Sequence, residues 1–123
     1  MHRLAALVVC LMATGSACAQ KWAFMTYNGN QPADVGYVSL EQNGAEAIFR
    51  MVAPSLDKCW AQPLKAEVTR NETMLVITPV FAFPGCVEQR FHIQLDGKGG
   101  YTEFKQRGVW ARSNRDRKLT LTP

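Results

Sequence analysis

Residues 35–52 read VGYVSLEQNGAEAIFRMV, and this stretch decides the fold class. Two runs of alternating apolar and polar residues, Val35 to Gln42 and Ala45 to Val52, flank Asn43-Gly44, the strongest two-residue hairpin signal a sequence carries. With that dipeptide as the turn, Gln42 faces Ala45. Counting outward then pairs Leu40 with Ala47, Val38 with Phe49 and Gly36 with Met51, an apolar face suited to a core. The other face sets Glu41 against Glu46, Ser39 against Ile48 and Tyr37 against Arg50, which suits water. A period of two that separates the two kinds of side chain belongs to a half-buried antiparallel sheet.

The same pattern extends in both directions. Lys21 to Tyr27 reads as a strand with Trp22 and Phe24 on one face, closed by the loop composition Asn28-Gly29-Asn30-Gln31-Pro32. Downstream, Leu64 to Arg70 and Thr73 to Val80 read as two strands joined at Asn71-Glu72, with Pro79 marking an edge at the end of the second. Val87 to Leu95 alternates, with Phe91, Ile93 and Leu95 inward and Glu88, Arg90, His92 and Gln94 outward. Asp96 to Gly100 is a glycine-rich turn whose length leaves the next register open. Tyr101 to Arg107, a break or bulge at Gly108, Val109 to Arg112, a turn at Ser113 to Asp116, and Lys118 to Thr122 complete the series. No stretch holds a helical period for three turns. The expectation is an all-β domain, a small antiparallel barrel or sandwich of about eight strands.

The N-terminus carries an export signal: His2 and Arg3, an apolar run from Leu4 to Ala13, and small residues ending Ala17-Cys18-Ala19. Cleavage after Ala19 leaves 20–123 as one β domain. The apolar run is half the length of a membrane span, and no later segment is longer, so no transmembrane span is expected. Gly15-Ser16-Ala17-Cys18 also puts two small residues before a cysteine, as in bacterial lipoprotein signals, although Gly15 stands where leucine is usual. A lipid anchor at Cys18 is the second processing route. Either route points to a periplasmic or secreted location. In that oxidising compartment Cys59 and Cys86 form an even pair, and a disulfide between them is the default.

Loss of Arg3 leaves 13 basic against 10 acidic side chains. The charge is concentrated: Lys105, Arg107, Arg112, Arg115, Arg117 and Lys118 crowd residues 103–123, against Glu103 and Asp116. Such an end attracts acidic surfaces. No nucleic-acid motif accompanies it.

No catalytic, metal or cofactor pattern stands out. His92 is placed on the outer face as a solvated strand histidine, with no activated serine or partner ligands around it. Glu41 and Glu46, facing across the hairpin, could hold a cation or share a proton, but side chains at a hairpin tip can splay into water. Asn71-Glu72-Thr73 is a formal glycosylation sequon. Two clusters remain as candidate binding surfaces. The first is the pair of loops around the disulfide, with Trp60 beside Cys59 and Phe81 and Phe83 near Cys86. The second is the basic C-terminal hairpin with Trp110, Arg112, Arg115 and Arg117, where guanidinium groups beside an aromatic could grip an acidic partner.

An export signal followed by a β domain of this size with a single disulfide is similar in layout to the small periplasmic lysozyme inhibitors, which are eight-stranded barrels. The Ser-Gly-rich inhibitory loop of that family has no counterpart here, because Asp96 to Gly100 lacks the serine, so the resemblance assigns no site residue. Three functions follow in order of expectation. An exported, non-catalytic protein that binds or inhibits another protein comes first. A lipocalin-like barrel around a small apolar ligand is second, and an envelope-associated structural protein is third.

Overall fold

Nine strands follow one another in the computed structural model, which describes residues 18–28, 31–54, 56–96, 99–112 and 118–121. They are β1 (Cys18–Asn28), β2 (Gln31–Asn43), β3 (Glu46–Val52), β4 (Leu64–Arg70), β5 (Met74–Pro79), β6 (Gln89–Gln94), β7 (Gly100–Gln106), β8 (Val109–Arg112) and β9 (Lys118–Leu121). All pairings are antiparallel in one sheet of order β8-β7-β6-β5-β4-β3-β2-β1-β9. Among the described residues there is no helix, and hence none long and apolar enough to cross a membrane. Residues 1–17 of the expected export signal, the turn at Ser113 to Asp116, Arg115 and Arg117 lie outside the described residues. β1 starts at Cys18, so cleavage after Ala19 would remove the first two pairs of its ladder, Cys18 with Gln42 and Ala19 with Glu41.

The sheet folds on itself where it is narrowest. β3 and β4 share two pairs, Ile48 with Lys65 and Phe49 with Leu64, and the chain between them makes the long excursion that carries Cys59 and Trp60. This seam lets the inner faces of β1 to β3 and β4 to β8 meet. Trp22, Val38, Leu40 and Phe49 from the first half and Leu75, Ile77, Phe91 and Ile93 from the second are each at most 1% exposed. The Phe49 and Phe91 rings bridge the halves with centroids 4.9 Å apart. The ladder does not close, since β8 and β9 end it, although β9 comes alongside β7. The result is a rolled sheet intermediate between the barrel and the sandwich that the strand pattern suggested.

The central hairpin forms, but in a different register. Asn43 pairs with Glu46, Leu40 with Phe49 and Val38 with Met51, leaving Gly44 and Ala45 as the two-residue turn. Gly44 has φ +65°, and Ala45 is not among the positive-φ residues. That places glycine at the first central position, as a type II′ turn requires. The displacement is two residues, so every side chain keeps its expected face while its cross-strand partner changes. Glu41 therefore lies opposite Ile48, away from Glu46, and its carboxylate accepts from Arg50 Nη1 at 3.1 Å. The paired carboxylates expected at this tip do not form.

Two other local features bear on the site. Gln106 pairs with Val109, and Arg107 and Gly108 between them both have positive φ, 52° and 79°, the signature of a type I′ turn. Gly108 thus breaks the chain as a tight hairpin turn, the first of the two alternatives expected there. On the inner side, Gly36 sits opposite Phe24. A Cβ there would lie 2.2 Å from the Val52 carbonyl oxygen and 3.0 Å from the Phe24 ring.

Candidate functional site

The disulfide forms as expected, joining Cys59 and Cys86 with their Cα atoms 5.9 Å apart, and ties the 53–63 and 80–88 segments together. Asp57 organises the first of these. Its side chain accepts the Cys59 N–H at 2.8 Å and its carbonyl the Trp60 N–H at 3.1 Å, a local turn of the kind short acidic residues favour. The turn directs Trp60 into the end of the core. Its indole meets Phe81 at 4.8 Å, Phe91 at 6.0 Å and Phe49 at 6.1 Å, each edge to face, the arrangement aromatic quadrupoles prefer. Core packing accounts for Trp60 and half-buried Phe81 without any ligand. Phe83 behaves differently: it is 39% exposed, with Lys58 Nζ 5.7 Å from its ring centroid.

The second candidate surface is wider than the sequence indicated. Pairing of β6, β7 and β8 places Arg90, Glu103 and Arg112 in one cross-strand row, with His92 opposite Tyr101 and Lys105 opposite Trp110. All of these share the outer face, because cross-strand partners point the same way. Trp110 carries the Arg90 guanidinium 4.2 Å from its centroid and Lys105 Nζ at 5.8 Å. Tyr101 has the His92 ring stacked on it at 4.4 Å and 10°, and the Arg112 guanidinium 4.4 Å from its centroid. The two aromatic rings and their cations hold one another in place, since both partners are confined by neighbouring strands.

Charge on this face is partly neutralised from within. Glu103 accepts from Arg90 Nε at 2.7 Å and is also bonded to His92 Nε2, while Lys105 lies 3.4 Å from Glu88. Burial pushes the Glu103 carboxyl up, but hydrogen bonds and charge from Arg90 and His92 outweigh it and hold the group below its ordinary value. Among the described residues no carboxylate pairs with Arg112. The face thus presents Arg112, the Trp110 and Tyr101 rings and the edge of Arg90, with an electropositive balance. His92 departs from expectation, because its side chain is 13% exposed and lies under Tyr101 and Glu103.

The sequence singled out Trp110 and Arg112 on this face, counted Lys105 and Glu103 only among the charges of the C-terminal end, and did not group Arg90, Tyr101, Glu103 and Lys105 with them. Alternation alone assigns each of the four to the outer side of its strand. Bringing them together needs the β6–β7 register, which the glycine-rich turn left undetermined. Asn71 of the sequon is committed inside its own turn, where its side-chain oxygen accepts the Thr73 N–H at 2.8 Å and the Met74 N–H at 2.7 Å. Among the described residues no group of three His, Cys, Asp or Glu side chains could hold a metal ion. No protein-family model, curated protein or solved structure matches this chain, so the surface chemistry itself carries the functional reading.

Proposed function

We propose that this is an exported, non-catalytic binding domain that engages an acidic protein partner through the outer face of β6, β7 and β8. The observation that carries the reading is the paired arrangement of Trp110 with Arg90 and Lys105 and of Tyr101 with Arg112. Tryptophan, tyrosine and arginine are the residue types that dominate binding energy at protein interfaces. Here they stand on strands, so less conformational freedom is lost on binding than from loops. With no carboxylate paired to it among the described residues, Arg112 favours a carboxylate-bearing partner, and its planar fork suits bidentate contact.

The ligand-carrier alternative has one observation in its favour, the buried Trp22 Nε1, which lacks a hydrogen-bond partner. Against it, Phe49, Phe91 and Trp60 already occupy the interior near the seam. The binding reading is tested by capture from an extract of the host's envelope and medium, using the wild type, a Trp110→Ala/Arg112→Ala double variant and a Lys65→Ala control. Capture of an acidic protein by wild type and control, lost in the double variant and weakened by salt, is the expected result. Equal capture by all three forms would remove the outer face from consideration.

A further inference from the structure

The chemistry of β8 goes beyond a flat interface. β8 ends the ladder, and among the described residues no strand pairs with its far side. The tight β7–β8 turn determines which backbone groups are left over. In a two-residue hairpin the residues flanking the turn, here Gln106 and Val109, exchange both hydrogen bonds, and the bonded and non-bonded pairs alternate beyond them. Val109 and Ala111 therefore spend their N–H and C=O groups on β7, while those of Trp110 and Arg112 point outward along the open edge. The side chains alternate in the same way. Trp110 and Arg112 stand on the cationic outer face, and Val109 and Ala111 stand on the inner side, yet Val109 is 65% exposed and Ala111 is also exposed.

An unpaired edge with an apolar strip on one side and a cationic aromatic strip on the other is complementary to one kind of occupant. We infer that β8 binds its partner by strand addition, accepting an extended segment in which acidic and apolar side chains alternate. Main-chain bonds to Trp110 and Arg112 hold the segment. Its acidic side chains lie beside Arg112 and Trp110, and its apolar ones cover Val109 and Ala111. A second copy of β8 is a poorer match, because antiparallel pairing of two such edges would juxtapose the same basic residues. This inference rests on the binding function proposed above and specifies its mode.

The test uses the purified protein and a fluorescent, acetylated peptide of alternating valine and glutamate, about eight residues long, with a valine–lysine peptide as the control. Arg112→Ala removes the charge and keeps the outward N–H. Arg112→Pro removes both without breaking any bond to β7. The expected order is binding of the glutamate peptide by wild type, weaker binding by Arg112→Ala, and a further loss of about tenfold in Arg112→Pro. Amide hydrogen exchange on the wild type provides a readout independent of the variants' folding: the peptide should protect the Trp110 and Arg112 amides. Strand addition is overturned if the proline and alanine variants bind alike, if those amides stay unprotected, or if the lysine peptide binds as well. It is also overturned if sedimentation shows a dimer that Arg112→Pro dissociates. Each of these results leaves the capture experiment with Trp110→Ala/Arg112→Ala free to succeed or fail on its own.

Discussion

Trp60 and Trp110 make a natural comparison. Each stands two residues from a basic residue in the chain, Lys58 or Arg112, and each is a candidate anchor in the sequence. In the fold Trp60 lies against Phe49, Phe81 and Phe91 at the end of the core, while Trp110 lies on the outer face against Arg90 and Lys105. The difference is in the neighbours. Rings packed edge to face on core rings add apolar contact and hold the two halves of the sheet together. Rings packed on cations keep a wet side, because a guanidinium or ammonium group stays near solvent. One tryptophan is thus spent on stability, and the other stands in the face proposed for recognition.

The largest effect that would break this comparison is on stability. Phe49→Ala should cost about 3–5 kcal/mol by urea denaturation, since it leaves a void between the halves. Trp110→Ala should cost about 1 kcal/mol or less, the worth of its exposed cation–π contacts. Comparable losses in the two variants would mean that the outer row is structural. Next in size is the disulfide. Replacing Cys59 and Cys86 with serine opens a link across 27 positions, and should lower stability by about 3–4 kcal/mol. The same change should leave peptide or partner binding at the outer face intact, and a parallel loss of binding would join the two regions into one site.

The smallest effect separates the outer row by its ionisation. Glu103 has a lower pKa in the folded chain than in the unfolded one. Its contribution is therefore complete above the unfolded carboxylate value, about 4.3, and is lost as the pH falls through the folded value. The stability gap between wild type and Glu103→Gln should be constant at mildly acidic pH and shrink as the pH is lowered below about 4. A gap that does not narrow would mean that Arg90 and His92 do not stabilise the carboxylate.

Strand placement was largely legible in the chain, and pairing was less so. Leu64 to Arg70 coincides with β4, and the inward set Trp22, Phe24, Phe91 and Ile93 is buried as alternation requires. The central hairpin formed with its faces as expected but its partners displaced by two. Asn43-Gly44 has the composition of a whole two-residue turn, whereas Gly44 takes the first turn position and draws Ala45 in after it. That displacement separated Glu41 from Glu46. Half of the outer-face site was invisible for a related reason: its members come from three strands and meet only when register is known.

Alternation of side chains by itself determined that this protein is a sheet with one greasy face, because the pleat makes every second residue a neighbour whatever the pairing. An even pair of cysteines outside the expected export signal likewise anticipated the disulfide. The sequence could not decide which of Trp60 and Trp110 packs on the core, which carboxylate meets which cation, or that β8 ends the ladder. Those depend on distances between segments far apart in the chain. They were settled by where the sheet narrows between β3 and β4, folds over Phe49 and Phe91, and leaves an edge.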